Sequence, residues 1–418
     1  MKILWLSHFL PFPPKGGLLQ RGFHLIKELS KHTQIDLFAF NQPKLLNPLI
    51  QDCSNPVVLV KEELSKYCRV LGVEHVPLSN LPIGATIIAL KSLVSRYPYN
   101  VNWLISKPFS RALASILNTY RYDIIHFDTI SLAYYHNLVK RSSPESKLSL
   151  GHHNIESHML LRRSKNEKNL LKKAYYLQEG IRLAHYEKEY CPKFDLNITC
   201  SNLDSKRLLE LTGAQKVCAI ENGVDIKYFV PGTLPKNPKN LIFIGTMNWY
   251  PNIDAMRFFL SSIWPILIKK EPEISMDIIG VNPPEDILQY EKEDNRINIH
   301  GFVDDVRPYL ASAGIYVCPI RDGGGTKLKI LDAFASGIPV VAHPVACEGI
   351  DISDGKNVLL ADNVKSYIDN IIELIHNDLL RHQLSLEARK LAESKYSFSS
   401  IGFRLYEELV SLILSPEN

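Results

Sequence analysis

At 418 residues the chain is about 2.8 times an average domain length, which excludes a single small domain and predicts two. Hydrophobic residues make up 45% and charged residues 22%, a balance that can bury a large core and excludes a disordered or coiled-coil chain. The 48 basic and 44 acidic side chains leave a formal net charge of +4, too even for a protein devoted to a nucleic-acid backbone, so any basic patch has to be local.

The opening MKILWLSHFLPFPP is apolar, but His8 and the prolines interrupt it and no small-residue cleavage site follows, so it reads as a buried strand and not as a signal peptide. Strands are predicted at ILWLS (3–7), QIDLFAF (34–40), VVLV (57–60), DIIHF (123–127), LSLGHH (148–153) and LNITCS (196–201). Each precedes a segment of helical spacing, the pattern of βαβ units around a parallel sheet. The longest other apolar run, IGATIIAL (83–90), is well short of the ~18–20 residues of a membrane-spanning helix, so none is expected. After NGVDIKYFVPG (222–232), the stretch TLPKNPKN (233–240) has no hydrophobic period and is expected to be the linker. The strand pattern restarts at LIFIG (241–245), MDIIG (276–280), INIHG (297–301), IYVCPI (315–320), PVVAH (339–343) and NVLLA (357–361), which makes two doubly wound halves. The amphipathic segment from Phe398 to Leu414 is expected to return to the first half. Seven scattered cysteines without a CxxC pair point to a reducing compartment and to neither a disulfide framework nor a zinc site.

Two glycine-rich loops can meet phosphate. Lys15-Gly16-Gly17 follows the first strand and opens a helix, where free amides and the macrodipole favour an anion; a tight turn would leave the same trace. The second, VCPIRDGGGTKLKILDAF, delivers Arg321, a turn of Gly323, Gly324 and Gly325, then Thr326 and Lys327, then a helix carrying Lys329 and Asp332. Loop amides with Arg321 and Lys327 suit a diphosphate, and Asp332 can accept hydrogen bonds from ribose hydroxyls. The alternative is a glycine turn with two solvated cations. GxxxxGK[ST] is missing, so this is not a P-loop. On the first half, LSLGHHNIES ends a strand in His152-His153-Asn154, at the edge where doubly wound domains place chemistry. No metal-ligand cluster and no pair of acids flanking a scissile bond is evident from spacing.

These segments resemble the retaining GT-B glycosyltransferases of family 4. The resemblance runs through ILWLSHFLPFPPKGG, HHNIESHMLLRR, ENGVDIKYFVP, FIGTMNWYPNIDAMRFF, the block from Gly301 to Gly349 and NVLLADN, and so covers nearly the whole chain. It implies an α/β, GT-B fold of two Rossmann-like doubly wound domains facing a cleft. Residues 1–225 would bind the acceptor, joined by a returning helix at about 398–418, and residues 226–397 would bind the nucleotide-sugar. The implied reaction is retaining hexosyl transfer from a UDP- or GDP-sugar to a glycan or lipid-linked acceptor, in cell-envelope or exopolysaccharide synthesis. The departing diphosphate would help to deprotonate the acceptor on the same face, with no metal, no cofactor and no nucleic-acid partner, in the cytoplasm or on the inner face of its membrane.

By the same resemblance His153, Asp332, Arg321 and Lys327 form the catalytic group. Gly16, Gly17, Gly245, Phe302, Val303, Gly323, Gly324, Gly325, Thr326 and Leu328 line the donor, and His126, Asp128, Asn154 and Glu156 the acceptor side. Two positions depart from the family pattern. Gly324 and Asp332 stand where a pair of acids is usual, and TMNWYPN after Gly245 lacks the usual basic residues, for which Arg321 and Lys327 are expected to compensate. The stretch from Leu160 to Tyr176 sets Arg162, Arg163, Lys165, Lys168, Lys172 and Lys173 against Glu167 alone. With Lys91, Arg96, Tyr97, Tyr99 and Trp103 it suits an anionic membrane surface, or equally a solvated face. The competing functions are a non-catalytic nucleotide-sugar-binding module, a sugar-nucleotide epimerase and a phosphorylase.

Overall fold

Strands covered on both faces read as continuous apolar runs, and this chain builds two parallel sheets from such runs. The computed structural model describes residues 1–14, 17–50, 55–79, 81–232, 236–323 and 326–414. The chain divides into one unit of Met1–Glu221 with Ile401–Asn418 and a second of Asn222–Ser400, against the boundaries of 225/226 and 397/398 read from the sequence.

Unit 1 holds a seven-stranded sheet of β1 (Lys2–Ser7), β2 (Gln34–Asn41), β3 (Arg69–His75), β4 (Ile124–Phe127), β5 (Lys147–Gly151), β6 (Leu196–Thr199) and β7 (Val217–Ala219). Their order is β3-β2-β1-β4-β5-β6-β7, every pairing is parallel, and the direction of progression reverses between β1 and β4. Alternate side chains feed two separate cores. Ile3 and Trp5 of β1 pack with Ile35, Leu37 and Ala39 of β2 on one face. Leu4 and Leu6 pack with Phe38 and Phe40 on the other. The helices used below are α1 (Gly17–Leu29), α2 (Pro56–Ser65), α3 (Gly84–Val94), α4 (Tyr99–Leu104), α5 (Glu156–Asn166) and α6 (Leu170–Tyr190).

Two expectations are corrected here. VVLV is the first half of α2, not a strand: Pro56 stands at the helix start, Asn55 caps it by accepting from the Val58 amide at 3.4 Å, and Val60 and Leu64, one turn apart, bury while Val58 and Leu59 stay exposed. The edge strand is RVLGVEH instead, half-buried and so without a clean apolar run. The proposed linker is also shorter, because Asn237 to Asn240 already belong to β8 (Asn237–Ile244). A Cβ on Gly314 would lie 2.2 Å from the Asn237 carbonyl oxygen, so a glycine there lets the proline-containing segment close on its neighbour. Residues 233–235 lie outside the described residues.

Unit 2 continues with β9 (Ser275–Ile279), β10 (Ile297–Gly301), β11 (Ala313–Cys318), β12 (Val340–Ala342) and β13 (Leu359–Leu360) in the order β10-β9-β8-β11-β12-β13. This sheet reverses between β8 and β11. Helices α7 (Tyr250–Phe258) and α8 (Leu328–Ala335) follow β8 and β11. The last helix, α9 (Phe398–Leu414), carries Ile401, Leu405, Leu409 and Leu412 into the unit 1 core beside Ile3, Trp5 and Ile26, as the amphipathic spacing predicted. Its crossing over α1 is close, since a Cβ on Gly402 would come within 2.2 Å of the Glu28 Cβ. Leu409→Ala, which opens a cavity at this seam, is expected to lower the stability of unit 1 by about 2–5 kcal/mol in urea unfolding. An unchanged midpoint would mean that α9 does not complete that core.

Candidate functional site

The strands of a doubly wound sheet spend their side chains on two cores, so polar groups collect just beyond the C-terminal ends, above all where the strand order reverses. In unit 1 that place is the end of β1, β4 and β5. His8 follows β1, Asp128 follows β4, and His152 and His153 follow β5. The buried Asp128 carboxylate accepts from Ser7 Oγ at 3.2 Å, with His153 Nε2 at 3.4 Å from Oδ1 and His8 Nδ1 at 3.7 Å from Oδ2. The two imidazole centroids are 5.8 Å apart.

Burial works against the Asp128 charge, but the facing imidazoles of His153, His8 and His126 outweigh it and hold the carboxyl below the usual carboxylate range. Burial dominates at His8 and brings it down to about 3 in spite of Asp128, so its ring is neutral at physiological pH. His8 Nδ1 and His153 Nε2 both face the Asp128 carboxylate at ion-pair distance, without a hydrogen bond of ordinary geometry. The ligand atoms of His8, Asp128 and His153 lie within 4.8 Å of one another, a spacing that fits a metal-ligand set as well as a sugar-binding polar cluster.

The remaining predicted residues support this centre. His126 lies within the sheet, in register with Trp5 and Ser149; its ring is 4.1 Å from that of Trp5, its Nδ1 is 3.0 Å from Ser149 Oγ, and burial brings it down to about 4. Gly151 permits that packing, because a Cβ there would sit 3.3 Å from two ring atoms of His126. His152 turns into the sheet, its Nε2 3.0 Å from Asn197 Oδ1. Asn154 is half-buried in the turn before α5. Glu156, the first residue of α5, accepts from Thr129 Oγ1 at 3.1 Å and Asn100 Nδ2 at 2.5 Å, tying the residue after Asp128 to α4, and burial raises its carboxyl. One further acid was not predicted. Glu187 of α6, fully buried, accepts from the Ser157 amide at 3.3 Å and from Ser157 Oγ, and so holds the start of α5. Nothing in YEKEY distinguishes it from its exposed neighbours.

In unit 2 the predicted residues divide. Gly245 follows β8, Phe302 is exposed and Val303 half-buried after β10, and Thr326, Lys327 and Leu328 are buried at the entry to α8. Asp332 is half-buried one turn into that helix. Gly323 takes φ +104°, and its amide donates to Asp322 Oδ1 at 2.7 Å. Lys327 Nζ donates to the Gly323 carbonyl at 3.1 Å. Arg321, expected to grip a diphosphate, is directed to α7 instead: it pairs with Asp254 at 2.9 Å and covers the Phe258 ring at 4.1 Å. Lys329, which the sequence reading placed only on the helix, brings its ammonium to the end of β8 and donates to Asn252 Oδ1 at 2.7 Å. Gly16, Gly324 and Gly325 lie outside the described residues, and Gly17 begins α1.

Burial pushes the Glu187 carboxyl from an ordinary 4.5 up to about 7. The folded state therefore holds this proton more tightly than the unfolded chain, and the resulting stability is complete below pH 4.5 and lost as pH rises through 7. Glu187→Gln is expected to remove about 3 kcal/mol of pH dependence from stability between pH 5 and 8, measured by urea unfolding. Superimposable pH profiles for the two proteins would contradict this.

Comparison with known proteins places this geometry. Residues 63–228 match a family model described as Glycosyltransferase Family 4, and residues 238–377 one described as Glycosyl transferases group 1. An uncharacterized 44.6 kDa protein in the cps region of Klebsiella pneumoniae is 23% identical over 284 residues, which are 66% of this chain and 72% of that protein. Sucrose-phosphate synthase from Thermosynechococcus elongatus shares the fold at TM-score 0.70 and 15% identity, over 98% of this chain and all (100%) of that one. Anabaena Alr3699/HepE in complex with UDP and glucose does so at TM-score 0.66 and 16% identity, over 98% and 100% of the two chains. The two family models thus describe glycosyltransferases over separate parts of the chain, and the solved structures share its two-sheet GT-B fold.

Proposed function

We propose that this GT-B glycosyltransferase moves a hexose, with retention, from a UDP- or GDP-sugar held by unit 2 to a glycan or lipid-linked acceptor held by unit 1, in the making of a cell-surface polysaccharide. The observation that carries the reading is the buried Asp128 carboxylate between His8 and His153, at the point where the unit 1 strand order reverses. Support for the donor comes from Asp332 on the helix that follows β11, at the corresponding point of unit 2, and from the UDP and glucose bound by the Anabaena protein. Support for the product comes from the Klebsiella relative's place in a cps region.

In this mechanism the bond from the anomeric carbon to the diphosphate breaks while a bond to the acceptor oxygen forms on the same face, and the acceptor proton passes to a phosphate oxygen of the leaving group. The protein has to hold the reactants and meet the leaving-group charge. His153 hydrogen-bonds the transferring sugar, and Asp128 fixes the orientation of its imidazole. Asp332 accepts from the ribose hydroxyls. No metal takes part.

Incubation with a panel of UDP- and GDP-sugars is expected to release free UDP or GDP slowly, and equally well in EDTA. Asp128→Asn and His153→Ala should each lower turnover about 100-fold or more while leaving nucleotide affinity unchanged. Nucleotide binding with no turnover, on any acceptor tried, would identify a non-catalytic binding module instead.

The acceptor side is proposed to rest on an anionic bilayer. Ile83, Ile87, Leu90 and Val94 form one exposed stripe along α3, with Val94 91% exposed, and Leu170, Leu177 and Ile181 form another along α6, with Leu170 79% exposed. Arg182 of α6 donates to the Ser92, Ser95 and Tyr97 carbonyls, the last at 2.9 Å, and so fixes the end of α3 against α6. Such apolar exposure, flanked by Lys91, Arg163, Lys172 and Lys173, is the composition of an interfacial surface. No helix among the described residues is long and apolar enough to cross a membrane. Flotation with vesicles containing anionic lipid should carry the protein upward, and Val94→Asp with Leu170→Asp should abolish this; no flotation at low salt would exclude the surface.

A further inference from the structure

The expected cations for a diphosphate are engaged elsewhere or missing. TMNWYPN supplies none, Arg321 is paired with Asp254, and Lys327 is turned to the Gly323 carbonyl. Another basic side chain reaches the strand ends. Lys329 lies in the first turn of α8, from which a side chain runs back toward the helix N-terminus. Its ammonium passes over the Phe243 ring at 4.6 Å and stops beside Gly245, where a Cβ would lie only 2.4 Å from Nζ. The backbone beside it is closely packed, since a Cβ on Gly280 would in turn sit 1.9 Å from the Gly245 carbonyl oxygen. This point lies between β8 and β11, where the strand order of unit 2 reverses and where such sheets take their ligands.

The electrostatics are unfinished. Among the described residues Lys329 forms no salt bridge, and its hydrogen-bond acceptor is the neutral amide of Asn252, itself held by donating to the Thr246 carbonyl at 2.7 Å. Lys329 is half-buried, and a partly desolvated ammonium without a carboxylate partner is unfavourable until an anion arrives. Resting on the nucleotide-sugar reading above, we infer that Lys329 supplies the positive charge that meets the donor's diphosphate, from inside the domain and not from the glycine loop. Glycine at 245 leaves the room that the ammonium occupies at the strand end.

Burial brings the Lys329 ammonium down to about 8. The titratable groups facing it are Cys318 from β11, whose thiol burial pushes up, Lys327 at the entry to α8 and Asp332 one turn along. A bound diphosphate stabilises the charged form, so above pH 8 binding has to take up a proton and should weaken by up to about tenfold per pH unit.

The test measures UDP, GDP, uridine and guanosine binding by calorimetry to the full chain and to its Lys329→Met variant. The variant is expected to bind the preferred nucleoside diphosphate about 10- to 100-fold more weakly, with the matching nucleoside unchanged. Equal diphosphate binding by both proteins overturns the inference and leaves the nucleotide-sugar reading standing, as does an equal loss for nucleoside and diphosphate, the mark of a structural role. Failure of the native chain to bind either diphosphate overturns both. Should Lys329→Met not fold, the native protein decides: diphosphate affinity constant from pH 7.5 to 9.5 overturns the assignment.

Discussion

A parallel strand buried on both faces has no place for a ligand-binding side chain along its length, so its chemistry has to sit beyond its C-terminal end. That constraint shapes both units. The side chains of β1 are divided between two cores, and the first residues released from this demand are Ser7 and His8. Asp128 and His153 are released in the same way after β4 and β5. Because the strand order reverses between β1 and β4, no crossover helix fills the space above them, and the released groups face one another there. Gly245 and the segment after β11 stand in the same relation in unit 2.

The same constraint explains which parts of the molecule could be read from the sequence. Central strands such as ILWLS, DIIHF and IYVCPI have to be largely apolar, and their runs are unmistakable. RVLGVEH is an edge strand with half-buried positions, so its pattern is diluted by Arg69, Glu74 and His75. VVLV has a strand's composition, but the cap at Asn55 and the proline after it decide for a helix. His153 and Asp128, which the structure brings together, could be singled out because Asp128 directly follows β4 and His153 lies two residues after β5. His8 was not, since it reads as an interruption of an apolar stretch, and its role depends on a neighbour 120 positions away. Lys329 illustrates a different limit. Arg321 and Lys327 flank the glycine turn in sequence, but whether a long cation turns toward the loop or onto a neighbouring helix is settled by partners such as Asp254 and Phe258 that no local pattern contains.

Charge placement separates the two sites. Around Asp128, burial keeps His8 and His126 neutral while His153 sustains the carboxylate, so the cluster holds one firm negative charge among adaptable donors and acceptors. Such a group suits neutral hydroxyls, which need orientation more than charge. Unit 2 presents the reverse, an ammonium in an amide and aromatic surround, with no acid within salt-bridge distance among the described residues. That environment suits a polyanion.

The glycine at position 324, in place of an acid, takes on a different meaning beside an internal lysine. An acid in that stretch of sequence would add negative charge close in the chain to the buried Lys327 and the half-buried Lys329, whose ammonium is already brought down to about 8 by desolvation. Without it, the whole attraction of Lys329 is available to the ligand. Cations on the rim would be screened by salt and held in place only at an entropic cost, whereas the half-buried ammonium fixed by Asn252 and by the Phe243 ring is already oriented. On the inference drawn from Lys329, the two departures from the family pattern become one change: the charge proposed to meet the diphosphate stands on the first turn of the helix and not in the loops before it.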